Sequence, residues 1–377
     1  MTTHDRLADM PLFAACAPGL EPLLAAEAEA LGLGPARVEP GGVALPGGAD
    51  AVERACLGLG LALRVQVELA AFPVGHLAEL ERRAAKLPWA AWLGRVATTV
   101  KATCRRSRLY HSGAVEERLL GAIDRALGGL ALGDDALVTQ RVMARIERDV
   151  LTLAVDAGGD ALHRRGYRAA GLKAPLREDL ARALVIASRW DRERPLLDPF
   201  CGSGTVAIEA DWLARGVPPG HLRPAPLAGG PLHDAARHAA ARARLLEGAR
   251  EVGPEVIASD RDAGAVAVAA AQAAQAGARG VVVTAGPRGM SEALAADGGR
   301  VGAVVTNPPW GRRVGSPGPL RDLYASLGRA LGDLAPDVAL GVLTASPELA
   351  RRLALPLASA FLTDAGGVKV RALVRAR

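Results

Sequence analysis

The stretch PLLDPFCGSGTVAIEADW, residues 195–212, decides the fold of this chain. Its pattern predicts a short apolar strand, a glycine-rich turn and a helix that begins near Thr205. This order is typical of a parallel sheet that seats a small molecule, because glycine lets a ligand approach the backbone closely. The turn lacks both Gly-Lys-Ser/Thr and the full Gly-x-Gly-x-x-Gly pattern, so it favours S-adenosylmethionine over a nucleotide phosphate.

Apolar runs and helical patterns alternate from about residue 180 to the C-terminal end of the sequence. Short apolar runs that end in polar or glycine-rich loops are typical of buried parallel strands. The alternation therefore predicts an α/β fold with a doubly wound parallel sheet. A stretch rich in Pro and Gly at residues 216–232 is an insertion to which no role is assigned. The predicted strands are 195–197, 256–258, 280–284, 301–306 and 338–344, with an antiparallel-looking segment at 368–374.

A second informative segment, VVTNPPWG, spans residues 304–311 at the end of a predicted strand. Two adjacent prolines fix the backbone and remove its donors, while Asn307 offers a side-chain carbonyl and Trp310 a flat face for stacking. This combination suits a site that holds a planar amino group, such as an exocyclic amine of a nucleobase. Taken alone, the segment also fits an ordinary strand end closed by a rigid Pro-Pro turn.

An acidic residue, Asp260, ends the second predicted strand of this half of the chain. An acid at this position can accept both hydroxyls of a ribose, and the alternative is a surface acid that caps the next helix. Carboxyl ends of parallel strands lie at one edge of the sheet, so Asp260, the glycine-rich turn and Asn307 are expected to converge. The sequence thus predicts adjoining seats for a cofactor and a substrate.

The size and composition of the chain favour a protein of two or three domains with full cores. It has 377 residues, half of them hydrophobic, and no apolar run of membrane-spanning length without a charge or a Pro/Gly break. The N-terminal residues do not have the pattern of a secretion signal, so a cytoplasmic location is expected. The four cysteines are isolated and form no zinc motif, so no metal is expected.

The formal net charge of +6 favours a polyanionic partner. The first 170 residues carry equal numbers of acidic and basic side chains, so any nucleic-acid surface in them must be local. Two basic groups are candidates, and each could equally be an ordinary solvated face. The first comprises Lys101, Arg105, Arg106, Arg108 and His111, and the second comprises Arg164, Arg165, Arg168, Lys173 and Arg177.

The first 160 residues have the pattern of small α+β units. The first unit is predicted to contain a helix at 19–32, a hairpin-like stretch at 37–48, a helix at 51–59 and a strand from residue 61. The second is predicted to contain a helix at 77–93, a strand at 96–103, a helix at 115–127 and a hairpin of strands 140–146 and 150–156.

The chain resembles the THUMP-domain RNA methyltransferases, which use S-adenosyl-L-methionine to methylate the N2 amine of guanine. The resemblance rests on LHRRGYR at 162–168, APLRE at 174–178, DPFCGSGT at 198–205 and NPPWGRRVG at 307–315. It implies a ferredoxin-like domain at 1–72, a THUMP RNA-binding domain at 73–160 and a Rossmann-like methyltransferase domain at 161–377. It also implies a structured RNA substrate, ribosomal or transfer RNA, and no membrane partner.

The resemblance assigns roles to individual residues. The carbonyls of Asn307 and Pro308 are expected to accept the two N–H bonds of guanine N2, while Trp310 stacks on the base. The arginines at the domain junction either contact RNA or anchor the two halves. The predicted catalytic residues are Asn307, Pro308, Pro309 and Trp310; the predicted cofactor-binding residues are Asp198, Pro199, Phe200, Cys201, Gly202, Ser203, Gly204, Thr205, Asp260, Arg261 and Asn307; the predicted RNA-binding residues are Arg105, Arg106, Arg108, Arg164, Arg165 and Arg168.

Two positions depart from the family pattern. Trp310 stands where the family usually has Tyr, which preserves stacking and removes a phenolic hydroxyl. Residues 285–289, AGPRG, lack the acid that such enzymes often place against adenine, so a backbone carbonyl or Asp262 is the expected substitute. Other interpretations remain open on the sequence: a DNA adenine or protein glutamine methyltransferase, and an RNA-binding assembly factor without turnover.

Overall fold

The structure is a computed structural model that describes residues 7, 10–94, 97–129, 139–168, 176–284, 286–311 and 317–376. The chain forms two compact units. The N-terminal unit comprises Met1–Cys16, Leu24–Leu162 and Arg223–Arg244, and the C-terminal unit comprises Ala17–Leu23, His163–Leu222 and Leu245–Arg377. Val96, Lys173, Ala174, Pro175, Ala285 and residues 312–315, all named above, lie outside the described residues.

Helices and strands are interspersed along the described residues. The first elements are β1 (Leu12–Cys16), α1 (Glu21–Ala30), β2 (Arg37–Glu39), β3 (Gly42–Leu45), α2 (Ala49–Gly58), β4 (Ala62–Pro73), α3 (Leu77–Ala84), α4 (Trp89–Trp92), β5 (Ala97–Arg105), α5 (Ser112–Leu127), β6 (Thr139–Glu147) and β7 (Val150–Asp156). The later ones are α6 (Glu178–Ser188), β8 (Leu196–Asp198), α7 (Thr205–Arg215), α8 (Ala235–Glu247), β9 (Val256–Ala258), α9 (Ala263–Ala276), β10 (Val281–Val283), α10 (Met290–Asp297), β11 (Ala303–Thr306), α11 (Pro317–Gly332), β12 (Ala339–Thr344), α12 (Pro347–Arg352), β13 (Leu357–Asp364) and β14 (Lys369–Arg375). None of the helices described is both long enough and apolar enough to cross a membrane.

The N-terminal unit is built on one sheet with the strand order β2-β3-β1-β4-β7-β6-β5. Strands β5 and β6 are parallel and the other neighbours are antiparallel. The predicted hairpin at 140–156 is confirmed as β6 and β7, joined by Arg148 and Asp149, both with positive φ. Strand β4 pairs with both β1 and β7, so the two small domains expected at 1–72 and 73–160 share a continuous sheet.

Local chemistry accounts for two differences from the predicted elements of this unit. The helix expected at 77–93 is interrupted between α3 and α4, where Pro88 lacks the backbone N–H that a continuous helix requires. Strand β1, not predicted, has alternate residues buried, but its five residues LFAAC contain too few strongly β-favouring side chains to signal a strand.

The insertion that follows α7 belongs to the N-terminal unit from Arg223 to Arg244. The Arg223 guanidinium donates to the backbone carbonyls of Gly158, Asp160 and Ala161. In helix α8, Arg237 and His238 both contact the carboxylate of Glu53, which is fully buried in α2. Arg223, within the stretch 216–232 that was assigned no role, and helix α8 beyond it are therefore tied to this unit by polar contacts.

The C-terminal unit contains the sheet β10-β9-β8-β11-β12-β14-β13. Its first five strands are parallel, and β14 lies antiparallel between β12 and β13. The predicted doubly wound sheet and all six predicted strands are confirmed. Strand β13 was not predicted, because it lies at the edge of the sheet and its sequence LASAFLTD is largely exposed and without clear alternation.

The central strands of this sheet are completely buried. All residues of β11 and β12 are buried, as expected for parallel strands covered on both faces. The core on one side packs Leu197, Val304 and Leu340 against Tyr324 of α11. Burial of each such aliphatic side chain contributes about 2 kcal/mol. The carboxyl ends of the adjacent strands β9, β8 and β11 are consequently held side by side.

Candidate active site

A turn with two left-handed glycines connects β8 to α7. Gly202 has a φ of 51° and Gly204 a φ of 81°, a region that favours glycine. A Cβ atom added to Gly204 would lie 3.2 Å from the Cβ of Ala269 in α9, whereas one added to Gly202 would meet no atom within 4 Å. The turn thus packs closely against α9 at one glycine and leaves open space at the other.

A cavity of about 370 Å³ lies over this turn at the carboxyl edge of the sheet. It brings the predicted cofactor turn and Asn307 together in a single site. Pro199, Gly204, Asp260 and Arg261, also predicted to bind the cofactor, are outside its lining. Helix α9 contributes residues that the sequence did not single out. The lining residues are Leu176, Asp198, Phe200, Cys201, Gly202, Ser203, Thr205, Val206, Asp262, Gly264, Ala265, Val268 and Asn307.

Asp198, the last residue of β8, is buried beneath the cavity. Its Oδ1 atom accepts a hydrogen bond of 2.6 Å from the Thr306 hydroxyl and one of 3.2 Å from the backbone N–H of Phe200. Burial raises the pKa of the carboxyl group to about 7, more than these hydrogen bonds lower it, and the nearby Asp260 raises it further. Asp198 therefore exchanges its proton near neutral pH.

Asp260 holds the glycine turn against the end of β9. One carboxylate oxygen accepts the Gly202 N–H and the other accepts the Asp262 N–H, both at 3.0 Å. Each oxygen keeps a second lone pair, so a ribose-binding role for Asp260 stays a prediction. The Asp262 carboxylate caps α9 by accepting from Gly264 and Ala265 and also lines the cavity. Asp262 therefore lies at the cavity, and its role, or that of a backbone carbonyl, as the substitute for the acid missing after β10 stays a prediction.

Asn307 and Trp310 are joined by a hydrogen bond that the sequence did not predict. The indole Nε1–H of Trp310 donates to Oδ1 of Asn307 over 3.0 Å. An indole nitrogen is a donor only, so this contact fixes which end of the amide is the carbonyl. The carbonyl keeps one lone pair for a further donor. Pro308 is buried, and Pro309 and Trp310 are partly buried.

The structure buries one arginine of the second basic group. Arg165 is almost fully buried, and its Nε atom lies 2.9 Å from Oε1 of the buried Glu209, which Arg182 also contacts at 3.3 Å. A buried carboxylate requires such partners, because desolvation of an unpaired charge is costly. The Arg165 guanidinium is therefore not exposed to an RNA phosphate. Glu209 was missed as its partner, although a Glu directly between the apolar residues Ile208 and Ala210 of α7 was the available signal.

Two other arginines of this group form ion pairs within the C-terminal unit. Arg168 contacts Glu178 at 2.9 Å and donates to the Leu176 carbonyl and the Thr205 hydroxyl. It thus supports two residues that line the cavity. Arg177 pairs with the buried Asp179, whereas Arg164 is exposed. Contacts of Arg164 and Arg168 with RNA remain predictions.

The residues around the cavity fit S-adenosylmethionine. The cofactor is cationic, and carboxyl groups of Asp198 and Asp262 line the cavity. Open space beside Gly202 and the small residues Gly264 and Ala265 leave room for a ligand against the backbone. The turn residues and these carboxyl groups would hold the cofactor, which supplies an electrophilic methyl group when bound.

Comparisons with known proteins identify methyltransferase relatives of this chain. A family model of the RMKL-like methyltransferase domain matches residues 165–355, and one of the RlmL ferredoxin-like domain matches residues 11–66. A ribosomal RNA large subunit methyltransferase K/L from Syntrophotalea carbinolica is 34% identical over 97% of this chain and 53% of its own length. The chain spans about half the length of the curated relatives it matches.

Solved structures share the fold over nearly the whole chain. SMU.472 in complex with SAH has a TM-score of 0.84 at 23% identity, over 97% of both chains. A predicted N6-adenine-specific DNA methylase from Listeria monocytogenes has a TM-score of 0.81 at 26% identity, over 96% of this chain and 95% of its own. The methyltransferase match covers half of the sequence and contains the whole cavity, so the chain belongs to the RMKL-like methyltransferase family.

Proposed function

We propose that this chain transfers a methyl group from S-adenosylmethionine to the exocyclic N2 amine of a guanine in structured RNA. The observation that carries the proposal is the placement of Asn307 in the same cavity as the glycine turn. Ribosomal RNA is the favoured substrate, because the relatives that align with nearly the whole chain are named as ribosomal RNA large subunit methyltransferases.

The Asn307–Trp310 hydrogen bond supports a specific arrangement of the target amine. With one lone pair of Oδ1 engaged by the indole, Asn307 accepts one N–H of the amine, and the Pro308 backbone carbonyl accepts the other. Two acceptors held in this way orient the nitrogen lone pair toward the cavity. The reaction then depends on positioning and charge stabilisation more than on a strong base.

Replacement of Asn307 by Ala tests the assignment. We expect turnover to fall at least about a hundredfold, as for other residues that position reacting groups, while cofactor affinity stays within about twofold. Transfer from labelled cofactor to RNA measures the first and calorimetry the second. The exposed substitution Asp333→Asn, immediately after the C-terminal end of α11 and outside the cavity lining, is the control. Unchanged turnover in Asn307→Ala would reject the role of this residue.

A DNA adenine methyltransferase is the second candidate, because the Listeria protein with the same fold is described as a DNA methylase. An Asn-Pro-Pro-aromatic site can hold an adenine amine in the same way, and a protein glutamine amide is a third acceptor of this kind. Parallel reactions with pools of RNA, DNA and protein separate these substrates. Methylation of DNA alone would overturn the RNA proposal, and absence of cofactor binding would favour a non-catalytic assembly factor.

A further inference from the structure

The first basic group contains both paired and unpaired cations: Lys101 pairs with Glu116 and Arg108 pairs with Asp149. Arg105 is the last residue of β5, Arg106 follows it, and Arg148 lies in the turn between β6 and β7; all three are exposed. Within the part of the chain that the structure describes, their guanidinium groups have neither an ion pair nor a hydrogen bond. By contrast, Arg165 and Arg177 are paired with buried carboxylates. Cationic side chains without internal partners are available to an external anion.

These arginines lie on a backbone that is held in place. We call residues 105–111 together with 148–149 the basic corner. The Arg148 N–H donates to the Arg105 carbonyl, the Asp149 N–H donates to the Ser107 hydroxyl, and the Arg108 N–H donates to the Asp149 carboxylate. Asp149 also pairs with the Arg108 guanidinium. The two loops therefore form one unit, and binding would cost less conformational entropy than the ordering of free loops.

The basic corner also presents two adjacent rings, tilted toward each other, to solvent. The Tyr110 side chain is 72% exposed, and its ring centroid lies 4.2 Å from that of His111 at an interplanar angle of 42°. Tyr110 is the only aromatic side chain among the described residues that is this exposed, in a chain with only 3% aromatics. An exposed ring beside cations is the combination that binds bases and phosphates of a single strand.

A cavity of about 550 Å³ continues from the basic corner along the open face of the N-terminal sheet. Arg105, Arg145 and Arg148 line it, and the Arg145 guanidinium lies 5.5 Å from the centre of the Phe13 ring. Glu39, Glu68 and Glu147 also line it, so its charge is mixed. This mixture suits the donor and acceptor edges of bases more than a run of phosphates.

We infer that the basic corner binds an unpaired segment of RNA. A base stacks on the Tyr110–His111 pair, and Arg105, Arg106 and Arg148 contact the phosphates on either side. The bases of a duplex are stacked on each other, so only unpaired nucleotides can use the exposed ring. This inference rests on the proposed RNA substrate and identifies the part of the N-terminal unit that selects unpaired nucleotides.

Fluorescence anisotropy of the full chain tests the inference. The probes are a labelled oligoadenylate of about 12 nucleotides and the duplex that it forms with oligouridylate. Tyr110→Ala should weaken binding of the single strand about tenfold, and Tyr110→Phe should restore it, because the ring provides the stacking. The double variant Arg105→Ala with Arg106→Ala should have a shallower slope of log affinity against log salt concentration. The slope should decrease in magnitude by about 1.4, because each phosphate contact on a single strand contributes about 0.7.

Arg279→Ala is the matched control, since Arg279 is a similarly exposed arginine in the C-terminal unit. This variant should bind the single strand with the same affinity and the same salt dependence as the parent. The inference is overturned if Tyr110→Ala binds the single strand like the parent, or if single strand and duplex are weakened equally. Anisotropy requires no turnover, so a parent that binds the probe without methylating RNA would reject the proposed function and leave this surface supported.

Discussion

Trp310 changes what Asn307 can offer to a substrate. Stacking was the only role expected for an aromatic residue after the two prolines, and a phenylalanine would satisfy it. The structure adds a hydrogen bond from the indole to the Asn307 carbonyl, which restricts rotation of the amide. Trp310 is therefore a positioning residue for Asn307 as well as a stacking surface in the proposed reaction.

The substitution Trp310→Phe separates these two roles. It keeps an aromatic face and removes the N–H, and we expect kcat to fall about 5- to 10-fold, equivalent to the net contribution of about 1 kcal/mol from one hydrogen bond. The KM for RNA should change less than kcat, because the stacking surface remains. Steady-state kinetics with saturating cofactor measures both constants. A Phe variant with the kcat of the parent would show that the indole N–H does not position Asn307.

Asp198 makes stability depend on pH in an unusual direction for a carboxyl group. Its pKa in the folded protein is about 7, above the ordinary value of 3.8, so the folded state binds a proton more strongly than the unfolded chain. The stabilisation is complete below about pH 4 and is lost as the pH rises through about 7. His163 acts in the opposite sense, because burial lowers its pKa to about 4 and its stabilisation is lost at acidic pH.

We expect Asp198→Asn to remove the first of these effects. Between about pH 5 and about pH 7, the free energy of unfolding of the parent should decrease with pH more steeply than that of the variant. At the steepest point the two slopes should differ by about 1 kcal/mol or more per pH unit. Urea unfolding at several pH values measures the difference, in which the His163 contribution cancels. Parallel pH profiles for parent and variant would contradict the assignment.

At the scale of elements, the polar contacts of helix α8 with helix α2 include one buried and one exposed carboxylate. Glu53 is fully buried between Arg237 and His238, whereas Asp50 pairs with Arg244 at the surface. A buried charge left without its partner is costly, and an exposed pair contributes little. The two acids belong to one helix, so they form a matched pair for mutagenesis.

Replacement of Glu53 by Ala should therefore destabilise the protein by about 3 kcal/mol, because Arg237 and His238 would lose their buried acceptor. Asp50→Ala should cost no more than about 1 kcal/mol. Chemical denaturation followed by circular dichroism compares the two variants. Equal losses would indicate that the Glu53 cluster is no more important for stability than a surface ion pair.

Strands proved predictable where their residues are buried on both faces. The short apolar runs of β9, β11 and β12 predict strands from their own sequence, because such runs are typical of parallel strands that are covered on both faces. Strands β1 and β13 carry weaker signals, since their formation depends on neighbours that are distant in sequence. The break at Pro88 followed from local chemistry and was available from the sequence.

The candidate site was predictable to the level of its backbone elements. The glycine turn and Asn307 were expected at one sheet edge, and the structure places both in one cavity. The Thr306 hydrogen bond to Asp198 and the burial of Arg165 against Glu209 were not predictable, because each joins residues far apart in the chain. Charge alone could not distinguish a paired arginine from an exposed one.

At the scale of the whole molecule, sequence order and spatial units do not coincide. The domain boundaries expected at residues 72 and 160 divide the chain into consecutive segments. The structure instead assigns Arg223–Arg244 to the N-terminal unit and Ala17–Leu23 to the C-terminal unit. Contacts with Gly158 and Glu53, rather than chain connectivity, determine the membership of the inserted segment.

This interleaving has a consequence during synthesis. A ribosome delivers the chain from its N-terminus, and domains generally fold as units while synthesis continues. The N-terminal unit lacks the partners of Glu53 until residues 237 and 238 have left the ribosome, by which time β8 and α7 of the other unit have already emerged. Completion of the first unit therefore requires residues that are synthesised after β8 and α7 of the second.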